Sequence, residues 1–127
     1  MNTMKKTFSA LILFSAVFIF SGCGNPQPNT TIDNSAIILF YGEECPHCKI
    51  VEQYIADNNI KDALVFSELE VGHNAANANL MIEKQKICKL DKKNIGAVPF
   101  LWTAEKCYLG QDEIIQFLFF KNQIDIE

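Results

Sequence analysis

Cys45-Pro46-His47-Cys48 follows an apolar run over residues 36–41 and opens an amphipathic stretch. That placement constrains the chain more than any other feature. A strand, a short turn and a dithiol at a helix start let two sulfurs meet across one helical turn. Pro46 suits the first turn, where its missing N–H costs nothing. The unpaired N–H groups and positive dipole end of the helix face Cys45 and favour its thiolate, the form that attacks disulfides. A protonated His47 adds a second positive neighbour. In a helix over residues 46–57, Cys48, Val51 and Ile55 share the inner face. Cys45 is then the exposed attacker and Cys48 the resolver. C-x-x-C also occurs as half a zinc site or as a pair of core cysteines. After a strand and at a helix start it points to redox chemistry.

The chain's 127 residues suffice for one domain, and 49% apolar content supports a core. The count of five cysteines is odd, and the start of the chain accounts for the extra one. Lys5 and Lys6 precede an apolar run over residues 8–20, shorter than the roughly 20 residues that span a bilayer but suited to a signal-peptide core. Phe20-Ser21-Gly22-Cys23 then resembles the lipobox of bacterial lipoproteins, with phenylalanine where leucine is usual. That resemblance implies cleavage before Cys23 and a lipid on it. An ordinary signal peptide cut nearby, leaving Cys23 free, is the alternative. Both readings put the protein outside the cytoplasm, where disulfides persist. The expected organisation is a signal peptide over 1–22, a lipidated and polar tether over 23–35, and a domain over 36–127. Losing Lys5 and Lys6 with the leader takes the net charge from −4 to −6. An acidic chain offers no basic face for nucleic acid.

The run over 36–41 reads as a central strand, covered on both faces. A second strand is expected from 63 to about 71, parallel to the first. Residues 74–90 read as a second helix, with Leu80, Met81, Ile87 and Cys88 on one apolar stripe. Lys84, Lys86, Lys89, Lys92 and Lys93 cluster around its end and read as a solvated face, suited to the helix C-terminus. His73 reads as a surface turn residue. A strand after Pro99, a turn over 103–106 and a returning strand from Cys107 make a hairpin. A last helix runs from 113 to about 122, burying Ile114, Phe117 and Leu118, with Ile115, Phe119 and Phe120 making it apolar nearly all round.

This β-α-β-α-β-β-α order, with the dithiol after the first strand, resembles the thioredoxin fold in its minimal, glutaredoxin-sized form. The resemblance covers residues 36–122 and rests on Cys45-Pro46-His47-Cys48 and on Val98-Pro99. It implies an α/β (α+β) fold with a four-stranded mixed sheet and helices on both faces. It also implies a cis Val98–Pro99 bond beside the cysteines, with Val98 and Pro99 shaping the substrate groove. The Pro46-His47 pair is similar to that of periplasmic disulfide oxidases, whose reduced form is stabilised. Glu43 and Glu44 beside Cys45 push the other way. Gly110-Gln111-Asp112 is loosely similar to the helix start with which glutaredoxins hold glutathione.

In the fold so resembled, the ends of the second helix and the hairpin can approach, so Cys88 and Cys107 can pair. They lie 19 residues apart. Closing such a loop stabilises by roughly 3 kcal/mol in the chain-entropy model. Two buried free thiols are the alternative. The expected protein is a monomeric, membrane-tethered thiol–disulfide oxidoreductase that exchanges with protein thiols and disulfides, is recycled by a redox partner, and needs no metal or organic cofactor. Two rivals remain: a copper or zinc carrier using Cys45, Cys48 and His47, and a redox-inert lipoprotein that keeps the fold.

Overall fold

The computed structural model of this protein describes residues 36–124. The expected signal peptide, Cys23 and the tether lie outside the described residues. The elements are β1 (Ile38–Tyr41), α1 (Pro46–Asp57), α2 (Ile60–Ala63), β2 (Ser67–Glu70), α3 (Ala75–Ile87), a 3-10 turn (Lys92–Asn94), β3 (Phe100–Trp102), β4 (Cys107–Leu109) and α4 (Gln111–Ile124). The four strands form one mixed sheet in the order β2-β1-β3-β4. β1 runs parallel to β2 and antiparallel to β3, and β3 is antiparallel to β4.

β1 lies inside the sheet because its residues suit burial on both faces. Ile38, Leu39 and Phe40 are all at most 1% exposed. Alternate side chains point to opposite faces of a strand, and two hydrophobic clusters follow. Leu39 and Leu101 join Val51 and Ile55 of α1, Ile60 of α2, and Ile114, Phe117 and Leu118 of α4. Ile38, Phe40, Phe100 and Trp102 join Met81 of α3. Phe40 and Phe100, opposite one another in the register, stack with ring centroids 5.8 Å apart. The fold is thus α+β, with helices packed on both faces of a four-stranded sheet. No helix among the described residues is long and apolar enough to cross a membrane.

Several expectations need correction. Residues 64–66 carry no strand, and β2 is confined to Ser67–Glu70. After α1, Asn59 takes a left-handed conformation (φ 50°) and a short helix restarts at Ile60, which is fully buried. Leu64 and Phe66 pack against the first cluster while Val65 is 92% exposed, so the run alternates without pairing. On α3 the inward stripe is Met81, Lys84 and Gln85. Ile87 lies on the flank, about 120° round from Met81 at 3.6 residues per turn, and is exposed. Lys84 is not on a solvated face: its stem is buried and its Nζ lies 4.5 Å from the centre of the Trp102 ring. A long aliphatic stem and a cation over an indole face make such burial tolerable. α4 begins at Gln111, two residues earlier than expected.

Candidate active site

The turn after β1 places the dithiol. Cys45 N–H donates to the Gly42 carbonyl at 3.1 Å, and Cys45 becomes the N-cap of α1 with extended backbone. N-cap side chains accept from the first-turn N–H groups, which have no partner within the helix. Here the acceptor is sulfur: Cys48 N–H donates to Cys45 Sγ at 3.2 Å. Pro46 occupies the first helical position. Cys45 is part-exposed, whereas Cys48, one turn further on, is 1% exposed. Both are free thiols. Burial pushes the Cys48 thiol up to about 12, helped by its hydrogen bonding to Cys45 and opposed by the Gly42 backbone. One sulfur is presented to solvent at a helix N-terminus, and the other is held protonated behind it.

A second wall faces Cys45. The Val98–Pro99 bond is cis, and Cys45 Sγ lies 3.8 Å from the Val98 carbonyl oxygen. Gly42 closes the third side, with Cys45 and Val98 at van der Waals distance from where a β-carbon would sit. The loop carrying Val98 is held from both ends. Gln85, fully buried on α3, donates Nε2–H to the Ala97 carbonyl at 2.9 Å and accepts from Gly96 N–H at 2.7 Å. Gly96 has φ 90°, a conformation costly for residues with a β-carbon. Beyond the loop, Gly110 N–H donates to the Pro99 carbonyl at 2.9 Å.

No protein-family model, curated protein or solved structure matches this chain. The site is therefore read from its own residues. Cys45, Cys48, Pro46, Val98 and Pro99 are gathered in one place. His47 is adjacent and exposed, and its Nδ1 lies 2.8 Å from Gln111 Oε1 on α4. Cys88 and Cys107 are disulfide-bonded, with Cα atoms 6.2 Å apart. They pack with the cluster on the opposite sheet face from α1 and stand outside the dithiol site.

On the other side of the turn, His73 sits between Glu44 (3.4 Å) and Glu70 (3.6 Å). Glu70 accepts from His73 N–H at 2.8 Å and Gly72 N–H at 2.5 Å. These bonds, that of His73 first, hold its carboxyl below the usual range. Among the described residues, the group with metal-ligand spacing is Glu43, Glu44 and His73, all exposed. It includes none of Cys45, Cys48 and His47, the donors a carrier would need for a soft metal.

Sequence reasoning missed Gln85. It lies four residues beyond Met81, on the same helical face. A polar side chain in an apolar stripe was the available signal. Gln111 was noted only as part of a glycine-led helix start, and its partner is on α1.

Proposed function

We propose that this protein is a thiol–disulfide oxidoreductase with a minimal thioredoxin-type domain, and that Cys45 and Cys48 exchange disulfides with protein substrates. The observation that carries this reading is Cys45 Sγ at the N-cap of α1, accepting from Cys48 N–H and facing the Val98 carbonyl across a cis-proline loop. A part-exposed sulfur at a helix N-terminus is placed to act as a thiolate nucleophile.

In the reducing direction, Cys45 thiolate attacks one sulfur of a substrate disulfide. A mixed disulfide forms and the other substrate sulfur leaves as a thiolate. Cys48 loses its proton and attacks Cys45 Sγ, releasing the second substrate sulfur. The Cys45–Cys48 disulfide remains, two electrons have passed to the substrate, and two protons end on its thiols. The oxidising direction is the reverse. The Val98 carbonyl is placed to accept a backbone N–H from an extended substrate segment, and Pro99 shapes that groove. No metal or organic cofactor takes part. Extracytoplasmic location, with a lipid on Cys23 tethering the domain to a bacterial membrane, belongs to the same proposal and suits the Cys88–Cys107 disulfide.

The test is a redox titration of the full chain in glutathione buffers, counting alkylated Cys45 and Cys48 by mass. A potential above about −150 mV makes the protein an oxidant that donates disulfides, and one below about −250 mV makes it a reductant that depends on an electron donor. Absence of any titration would sink the redox reading. Retention of copper or zinc through purification, lost on Cys45→Ser, would favour the carrier.

A further inference from the structure

Gln111 touches the candidate site through His47, and the chemistry of its neighbours determines how. His47 Nδ1 lies 2.8 Å from Gln111 Oε1. On its other side, Gln111 Nε2 donates to Asp112 Oδ1 at 3.3 Å. An ionised carboxylate only accepts, so the amide NH2 end belongs at Asp112 and the carbonyl end at His47. A carbonyl oxygen also only accepts. The hydrogen of the His47–Gln111 contact therefore sits on Nδ1, and Nε2 is left as the nitrogen that gains or loses a proton.

The start of α4 is fixed relative to the dithiol. Gly110, with φ 87°, donates to the Pro99 carbonyl. Leu109 N–H donates to Glu113 Oε2 at 3.0 Å. Gln111 thus extends from the anchored end of the same loop whose Val98 carbonyl faces Cys45.

We propose that Gln111, oriented by Asp112, is a positioning residue that locks His47 in its Nδ1–H tautomer and holds the ring beside the dithiol. This rests on the redox reading above. Asp112 fixes which end of the amide faces the ring, and the ring can then turn only by breaking its bond to Gln111. The ring so held sits in the first turn of α1, two residues from Cys45, where any positive charge it carries favours the thiolate. Stabilising the thiolate stabilises the reduced dithiol and makes the disulfide a stronger oxidant. In the exchange with glutathione, two glutathione thiols give two electrons and two protons to the Cys45–Cys48 disulfide. The products are the dithiol and one glutathione disulfide. Removing the acceptor at Gln111 lowers that equilibrium constant.

The experiment compares the full chain with Gln111→Leu, which keeps the bulk without the acceptor, and Gln111→Glu, which restores it. Each is made with His47 intact and with His47→Ala, and melting curves confirm that the variants fold. Two readouts are taken: the 15N shifts of the His47 ring, and the equilibrium constant with glutathione. Wild type and Gln111→Glu are expected to show the Nδ1–H tautomer, and Gln111→Leu the Nε2–H form common in free histidine. The constant is expected to fall about threefold to tenfold in Gln111→Leu, up to about 30 mV at 29.6 mV per tenfold. It should recover in Gln111→Glu and be unchanged by Gln111→Leu when His47 is absent. An Nε2–H tautomer in wild type overturns the proposal, as does a Gln111→Leu effect of equal size with and without His47. A wild-type dithiol that exchanges with no glutathione sinks the redox reading instead, and the tautomer then decides the positioning role alone.

Discussion

At the scale of the residue, the two cysteines of one motif live in different environments. Cys45 caps a helix in partial contact with solvent, and Cys48 is buried one turn on. Iodoacetamide is therefore expected to label Cys45 of the reduced protein well before Cys48, as read by peptide mass. Cys48→Ala should accumulate mixed disulfides with substrate, and Cys45→Ser should form none. Equal labelling of both sulfurs would contradict the assigned roles. The buried thiol also has a thermodynamic signature. Its folded value, about 12, lies above the ordinary thiol value near 9. Between these limits the unfolded chain has lost the Cys48 proton and the folded chain has kept it. Stability of the reduced protein must then fall as pH rises from about 9, by about 1.4 kcal/mol per unit while the difference is one proton. Denaturant titrations of the reduced protein from pH 8 to 11 should show this slope, and Cys48→Ala should make it shallower, leaving near the top of the range the share of Tyr41 and Tyr108, which burial also pushes up.

At the scale of the element, α3 acts on the site without touching it. Gln85 holds the loop at Gly96 and Ala97. Gln85→Leu removes both side-chain hydrogen bonds to the loop, and since the Gly96 N–H and Ala97 carbonyl are not fully buried, each bond is worth about 0.5–1.5 kcal/mol. The expected result is a loss of about 1–3 kcal/mol in stability. Exchange with a protein disulfide should fall more than exchange with glutathione, because only an extended substrate uses the Val98 carbonyl. Equal losses with both substrates would show that the loop does not position substrate. The elements also separate what was legible in the sequence from what was not. α1 was legible to the residue, since Pro46 marks its start and Cys48, Val51 and Ile55 mark its inner face. Those signals are local. β2 was begun too early because Leu64 and Phe66 are apolar for packing against the cluster of α1, α2 and α4 rather than for strand pairing. Gln85's place on the Met81 face was a signal in the sequence, but what it and Lys84 are buried against, the loop at Gly96 and Ala97 and the Trp102 ring, comes later in the chain and required the fold. The His47–Gln111 contact is long-range for the same reason. The dithiol could be read from one stretch, while its supports required the fold.

At the scale of the whole molecule, cysteine serves two purposes on opposite faces of one sheet. The dithiol belongs to α1, on the face with α4. The Cys88–Cys107 disulfide ties the end of α3 to β4, on the other face. A small domain gains from such a tie because its core is limited. The bridge closes a separation of 19 residues, worth roughly 3 kcal/mol in the chain-entropy model. Cys88→Ser/Cys107→Ser is therefore expected to lower the melting temperature by about 12–24 °C, at about 4–8 °C per kcal/mol for a domain of this size. The dithiol's equilibrium with glutathione should be unchanged, because no sulfur of the bridge enters the exchange. Trp102, the single tryptophan of the chain, makes the bridge observable. It is the register partner of Cys107 and packs in the cluster that Cys88 and Cys107 adjoin. Disulfides quench indole emission, so opening this bridge should brighten Trp102, while reducing Cys45–Cys48 alone should leave it nearly constant. A brightening that follows the dithiol's titration would mean that the two pairs exchange with each other. Cys88 and Cys107 would then form a second redox couple, and the division of labour between the two sheet faces would fail.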